Sequence, residues 1–213
     1  MKLNSEEAYN LLMETKNISD GGYVYHSVKV GEAASRIAES LGLDADKAKA
    51  LGYIHDIGKM YGKPFNQHVA KGYEYLMSIG VDEEYANVCL VHSYLNNDID
   101  CTAGGIVKSE SYKYEFREEF IRTHVYTPYE RIINLCDLMC TREFMILEER
   151  LIELMVRKGI DTNTQYHLRE ALKLKGEIDE QLGFSVYTLF PEISERIFGS
   201  PESSQAILKR QQQ

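Results

Sequence analysis

The sequence predicts an all-α fold, a helical bundle-like domain. Three observations predict it. Apolar residues recur at helical spacing through most of the chain, helix caps and stops punctuate those stretches, and no series of alternating apolar segments suggests a sheet. With 213 residues, 44% hydrophobic and 27% charged, the composition suits one folded core and neither a disordered nor a fibrous chain. We expect one domain over residues 1–198, with a motif-bearing core over about 20–145, C-terminal helices over about 160–198 and a flexible tail at 199–213.

Ser5 and the acidic residues behind it predict a first helix over about 5–16, ended by the turn-forming "NISDGG" of residues 17–22. A second helix runs from about Val24 to Leu41, with Val28, Ala34, Ile37 and Leu41 on one face and Gly42 as its stop. Asp44 caps a third, which carries "YIHDIGK" and closes at "YGKP", residues 61–64. Asn66 begins a fourth that ends at Gly80, and Asp82 caps a fifth reaching about Tyr94. Residues 95–126 are turn-rich and loosely patterned, a segment that suits a lid or substrate loop as well as a plain connection. Thr127-Pro128 starts the longest predicted helix, continuing to Gly159. Two more follow, over about Thr164–Leu182 and Pro191–Phe198.

The net charge of −9 argues against a nucleic-acid polymer as partner, because such binding rests on basic surface that releases counterions. A small anionic substrate fits if positive charge is focused locally, which a bound metal supplies. The N-terminus lacks the unbroken apolar stretch of a signal peptide, and no window reaches a membrane span, so we expect a cytoplasmic protein with no membrane partner. Cys89, Cys101, Cys136 and Cys140 contain no Cys-x-x-Cys pair and read as reduced, packed thiols.

The stretch Tyr53 to Lys59 sets an imidazole beside a carboxylate within an apolar run. Burying both costs several kcal/mol, of order 2–7 for each polar group left unsatisfied, and a divalent metal satisfies the two together. The remaining histidines bear on this. His26 opens the second helix, His68 lies in the first turn of the fourth, and His92 sits near the end of the fifth. Asp137 interrupts the apolar run "RIINLCDLM". A lone core histidine is more often a satisfied packing residue than a ligand, but one polar group per helix, all aimed inward, is how bundle-core metal sites are built. His124 and His167 fall in polar surroundings and stay outside the set.

The order His26, His55-Asp56, Asp137, with "HDIGK" as it stands, resembles the HD superfamily of metal-dependent phosphohydrolases over roughly residues 20–145. With His68 and His92 in between, the chain is similar to the dinuclear branch. That resemblance implies one ion held by His26, His55, Asp56 and Asp137, and a second held by His68 and His92, with Asp56 bridging. The short bacterial members that split diadenosine tetraphosphate match best, through "YHS", "HDIGK", "HVAKGYEYL" and "VHS"; the proline that follows their distal aspartate is absent here. The paired histidine and Gly-Tyr-Pro of cyclic-dinucleotide phosphodiesterases, and the acidic residues after the doublet in guanosine tetraphosphate hydrolases, are absent too.

The implied activity is cleavage of a small phosphorylated metabolite, a nucleotide or dinucleoside polyphosphate, by a metal-activated hydroxide. Two ions about 3.5–4 Å apart generate such a nucleophile and clamp the phosphoryl group. Imidazole and carboxylate ligands suit Fe, Mn, Co, Ni or Zn better than Mg or Ca. Asp56 is read as catalytic as well as ligating, and Lys59, three residues on, as the cation that meets a phosphate oxygen. Arg142 is carried as a substrate-binding candidate, Arg131 as an ion-pair residue, and Tyr23, Tyr25, Tyr61 and Tyr94 as aromatic faces near the site. Two other readings stay open: a diiron HD-type oxygenase, and a non-catalytic metal- or nucleotide-binding regulatory domain. Exposed faces of the long helix and its successors leave room for a homodimer, and residues 95–126 are where substrate choice would be set.

Overall fold

Asn4, one residue earlier than expected, caps the first helix: its side chain accepts from the Glu7 backbone N–H while the Glu7 carboxylate accepts from that of Asn4, a reciprocal capping box. The structure, a computed structural model, describes residues 1–16, 18, 22–62 and 67–199. Most of the expected turn at 17–22, the Lys63-Pro64 end of "YGKP", the start at Asn66 and the tail from residue 200 on lie outside those residues.

Among the described residues the chain forms ten α-helices and no strand, and the fold is all-α as expected. Helix α1 covers Ser5–Thr15, α2 Gly22–Ser40 and α3 Ala45–Ile54. Asp44 caps α3 by accepting from the Lys47 N–H, 3.0 Å away. Helices α4 (Gln67–Ser78) and α5 (Glu83–Val91) form an adjacent pair. Asp82 precedes α5 but its carboxylate is turned to the N-terminal amine of Met1, at 2.6 Å, so it ties the chain's start to the helix entry. Then come α6 (Tyr114–Thr123), α7 (Pro128–Met139), α8 (Leu147–Lys158), α9 (Thr164–Leu182) and α10 (Pro191–Phe198).

Two departures from expectation bear on function. The single helix expected from Thr127 to Gly159 is two helices, because Cys140 leaves helical geometry (φ −118°, ψ 141°) and pairs as an antiparallel bridge with Phe144. Thr141 and Glu143 close the reversal through the Thr141 N–H, which donates to the Glu143 carbonyl at 2.9 Å. Phe144 is thereby carried into the core, its ring centroid 4.9 Å from that of Phe190. Residues 95–126 likewise hold a full helix, α6, whose Ile121 and buried Arg117 pack with Val69, Leu90 and Tyr94 in a second, smaller apolar cluster.

The main core gathers Leu12, Ile37, Leu51, Ile54, Ile133 and Cys136 from α1, α2, α3 and α7. Full burial of each such aliphatic side chain contributes roughly 1.5–3 kcal/mol, before the entropy of ordering is subtracted. Helices α2 and α3 approach most closely at two glycines: a β-carbon on Gly52 would sit 2.5 Å from the Gly31 Cα. The contact draws the N-terminal half of α2, which carries His26, against the end of α3, which delivers His55. All four cysteines are buried and free. No described helix is long and apolar enough to cross a membrane.

His167, expected in polar surroundings, is buried on the inner side of α9. Burial, helped by nearby Lys158, pushes its imidazole down to about 4. A histidine harder to protonate folded than unfolded stabilises fully above its unfolded value near 6.5 and loses that contribution as pH falls toward 4. His167→Gln should therefore flatten the loss of unfolding free energy between pH 7 and pH 5 by about 1–2 kcal/mol, measured by urea titration at both. Gly52→Ala should cost about 1–3 kcal/mol through overpacking against Gly31 and lower the melting temperature by about 2–12 °C. An unchanged melting temperature would show that α2 and α3 have slack.

Candidate metal centre

The residues around Asp56 form a chain break between helices and not one continuous helix. Helix α3 ends at Ile54, His55 is its C-cap, and Asp56 takes φ −106°, ψ 10°, in the sparsely allowed bridge region. A 3-10 helix over Ile57–Tyr61 follows. With three residues per turn, positions i and i+3 eclipse, so Lys59 is brought directly onto Asp56 and pairs with its Oδ2. The 3-10 helix also lies flat on α4. A β-carbon on Gly58 would overlap the His68 carbonyl oxygen and come within 2.5 Å of the Gly72 nitrogen, so the glycine of "HDIGK" is what lets His68 reach Asp56.

All six residues read from the sequence as ligands converge, in two groups that share Asp56: His26, His55, Asp56 and Asp137, and Asp56, His68 and His92, with donor atoms in each group within 4.8 Å of one another. The two oxygens of Asp56 face opposite ways. Oδ2 lies 3.5 Å from His55 Nε2 and 3.7 Å from His26 Nε2. Oδ1 lies 3.3 Å from His92 Nε2 and 3.6 Å from His68 Nε2. Asp137 Oδ1, from the last turn of α7, is 2.8 Å from His26 Nε2 and 3.5 Å from His55 Nε2.

Backbone carbonyls fix the imidazoles. His55 Nδ1 lies 2.7 Å from the Gly52 carbonyl and His92 Nδ1 lies 2.9 Å from that of Cys89. A carbonyl only accepts, so each Nδ1 carries the proton and each Nε2 presents its lone pair inward, the arrangement of metal-bound histidine. Asn134, one turn before Asp137, donates to the carbonyls of Val91 and His92, both at 2.9 Å, and so holds the end of α5 where His92 sits. The sequence reading did not single out Asn134; its spacing from Asp137 on an otherwise apolar face is the signal.

The electrostatics suit a cation. Burial alone would raise the Asp56 carboxyl, but Lys59, His55 and His92 hold it well below the usual carboxylate range. Asp137 behaves likewise: burial opposes ionisation, and the hydrogen bond from His26, 2.8 Å away, prevails. Burial pushes the His68 imidazole down to about 3 against the pull of Asp56, leaving it neutral and able to ligate. His55 Nε2 and Asp56 Oδ1 are buried without a hydrogen-bond partner. Such orphans cost roughly 1–3 kcal/mol each, and they fall in different groups, so a divalent cation in each group satisfies one of them.

Above the cluster opens a cleft of about 360 Å³, lined by His26, Lys59, His68, His92 and Asp137 together with Arg150, Arg157 and Lys158 of α8. The three α8 cations were missed by sequence reasoning because they fall beyond the reversal at Cys140. Arg142, carried as a substrate ligand, lies in that reversal and lines a separate cavity with Lys29, Phe144 and Arg196; the chain no longer continues the helical face of Asp137. Arg131 pairs with Glu177 as expected. Of the tyrosines, Tyr23 lines the cleft, whereas Tyr94 is sequestered with Arg117 and Tyr25 and Tyr61 are exposed. From residues 95–126, Thr102 alone lines the cleft.

The family model for the HD domain matches residues 23–141, more than half of the chain, and the chain belongs to that family. Ribonuclease Y of Fervidobacterium nodosum is 40% identical over 68 residues, which are 32% of this chain and 13% of that protein. Ribonuclease Y of Mesoplasma florum is 41% identical over 68 residues, 32% of this chain and 14% of that protein. The matched chain thus spans about an eighth of these relatives' length. The crystal structure of the HD domain of the L. monocytogenes phosphodiesterase PgpH in complex with cyclic-di-AMP superposes with a TM-score of 0.52 at 15% identity, covering 90% of this chain and 98% of that one, a likeness of fold.

Gly58→Ala is expected to push α4 away from the 3-10 helix and separate His68 from Asp56. Metal bound per chain, measured by inductively coupled plasma mass spectrometry, should fall while far-ultraviolet circular dichroism stays helical. A full metal complement would show that the Gly58–Gly72 approach does not position His68.

Proposed function

We propose that this chain is a metal-dependent phosphohydrolase that holds two divalent transition-metal ions, drawn from Fe, Mn, Co, Ni and Zn, and cleaves a phosphoester bond in a small phosphorylated metabolite of the nucleotide or dinucleoside polyphosphate class. One observation carries the reading: a fully buried carboxylate, Asp56, addresses two ligand groups with its two oxygens at the floor of a cleft whose walls are cationic. When bound, paired divalent ions acidify water and neutralise phosphate charge.

The chain's own residues do the rest. Asp56 sets the spacing of the two groups, and His55 and His92 keep their Nε2 atoms aimed inward through the Gly52 and Cys89 carbonyls. Lys59 lines the cleft with its ammonium beside Asp56, placed for a non-bridging phosphate oxygen. A basic cleft within a chain of net charge −9 favours a small anion over a polymer. The names of the relatives, a ribonuclease and a phosphodiesterase bound to cyclic-di-AMP, support phosphoester bonds of nucleotides as the substrate class.

Phosphate and nucleoside release should be measured from mononucleotides, dinucleoside polyphosphates and cyclic dinucleotides with protein loaded separately with Mn, Fe, Co, Ni or Zn. Hydrolysis of one class, abolished in Asp56→Ala together with metal binding, is the expected result; an active, metal-replete Asp56→Ala protein sinks the reading. Lys59→Ala should lower kcat/KM about 10–100-fold with metal content retained, the range for losing one charged contact to developing phosphate charge. Unchanged kinetics would make Lys59 a structural partner of Asp56 and nothing more.

A further inference from the structure

The cleft carries more positive charge than one reacting phosphate needs. Arg157 lies two turns beyond Arg150 on α8, Lys158 follows it directly, and all three line the cleft. Their one carboxylate partner along the helix is Glu153, which pairs with Arg150 and, at 2.7 Å, with Arg157 Nε. Three cations against one carboxylate leave two positive charges uncompensated. The Arg150 Nε is buried with no hydrogen-bond partner, an orphaned charged donor of the kind an anion satisfies. Lys158 is held in place by donating to the Ala103 carbonyl at 2.9 Å, and the turn there packs so tightly on its stem that a β-carbon on Gly104 would sit 2.8 Å from the Lys158 Cδ. The floor of the cleft has its own cation in Lys59. The charge on α8 comes in addition to Lys59, in a cleft large enough for more than one phosphate.

We propose that Arg150, Arg157 and Lys158 form a second anion subsite that binds a phosphate other than the one being cleaved, so that the substrate carries at least two phosphates. The proposal rests on the phosphohydrolase reading above and narrows it: a dinucleotide, nucleoside polyphosphate or bisphosphate fits, and a mononucleotide with one phosphate leaves the α8 wall unsatisfied. Guanidinium groups braced by Glu153 present fixed N–H donors, which suits phosphate, and the partly exposed Arg157 and Lys158 admit a ligand from solvent.

Two probes that share a base isolate the second phosphate: adenosine 5′-monophosphate and adenosine 3′,5′-bisphosphate. Their dissociation constants are measured by calorimetry at low temperature on the metal-loaded full chain and on a metal-loaded double variant that combines Arg157→Gln with Lys158→Gln, with metal content and helicity checked for each. In the wild type the bisphosphate should bind about tenfold or more tightly than the monophosphate, and the ratio should collapse toward one when both cations are replaced. A wild-type ratio near one, or a ratio preserved in the double variant, overturns the proposal. Turnover is followed separately with p-nitrophenyl phosphate and bis(p-nitrophenyl) phosphate. Absence of turnover there counts against the hydrolase reading, whereas the binding ratio tests the subsite without needing catalysis.

Discussion

The carboxylate of Asp56 is the constraint around which this molecule is built. A fully buried carboxylate is tolerated only where cations and donors surround it, and here five segments supply them: α2, the end of α3, the 3-10 helix that carries Lys59, α4 and α5. That requirement explains glycines at places where any larger residue would force the elements apart. Gly31 and Gly52 bring α2 against α3, and Gly58 and Gly72 bring the 3-10 helix against α4. Each close approach moves one imidazole into reach of the same carboxylate.

Much of this arrangement was legible in the sequence, for reasons that can be named. Cap and stop residues placed α3 behind Asp44, α9 over Thr164–Leu182 and α10 over Pro191–Phe198. The ligands were legible because a polar group recurring once per apolar helix has few inexpensive explanations in a core. The reversal at Cys140 was not, because residues 140–147 keep an apolar pattern that a helix shares, and Thr141 and Glu143 turn the chain through backbone and hydroxyl bonds with no glycine or proline to announce it. That one omission hid the α8 cations and misplaced Arg142, since both depend on where the chain points after Met139. Helix α6 was obscured by its strongly polar face and by its entry at Lys113, a non-glycine residue with φ of +50°.

The charge distribution runs against the composition. A chain with nine more acidic than basic side chains gathers lysine and arginine around one opening and leaves most of its carboxylates elsewhere. Low-dielectric walls strengthen such a local field. Glu153 has a particular part in this, since it aligns two guanidinium groups that would otherwise repel each other across a turn of helix.

The contact between His26 and Asp137 joins residues 111 positions apart in sequence. An ion held between them acts as a reversible cross-link, and tying off a loop of that size removes about 4–5 kcal/mol of unfolded-chain entropy in the loop-closure picture. A disulfide in this position would answer to the redox state of its compartment; this clasp answers to metal supply. An ion bound there would couple the folded lifetime of the chain to metal supply, so that loss of the ion would open the chain to unfolding and proteolysis.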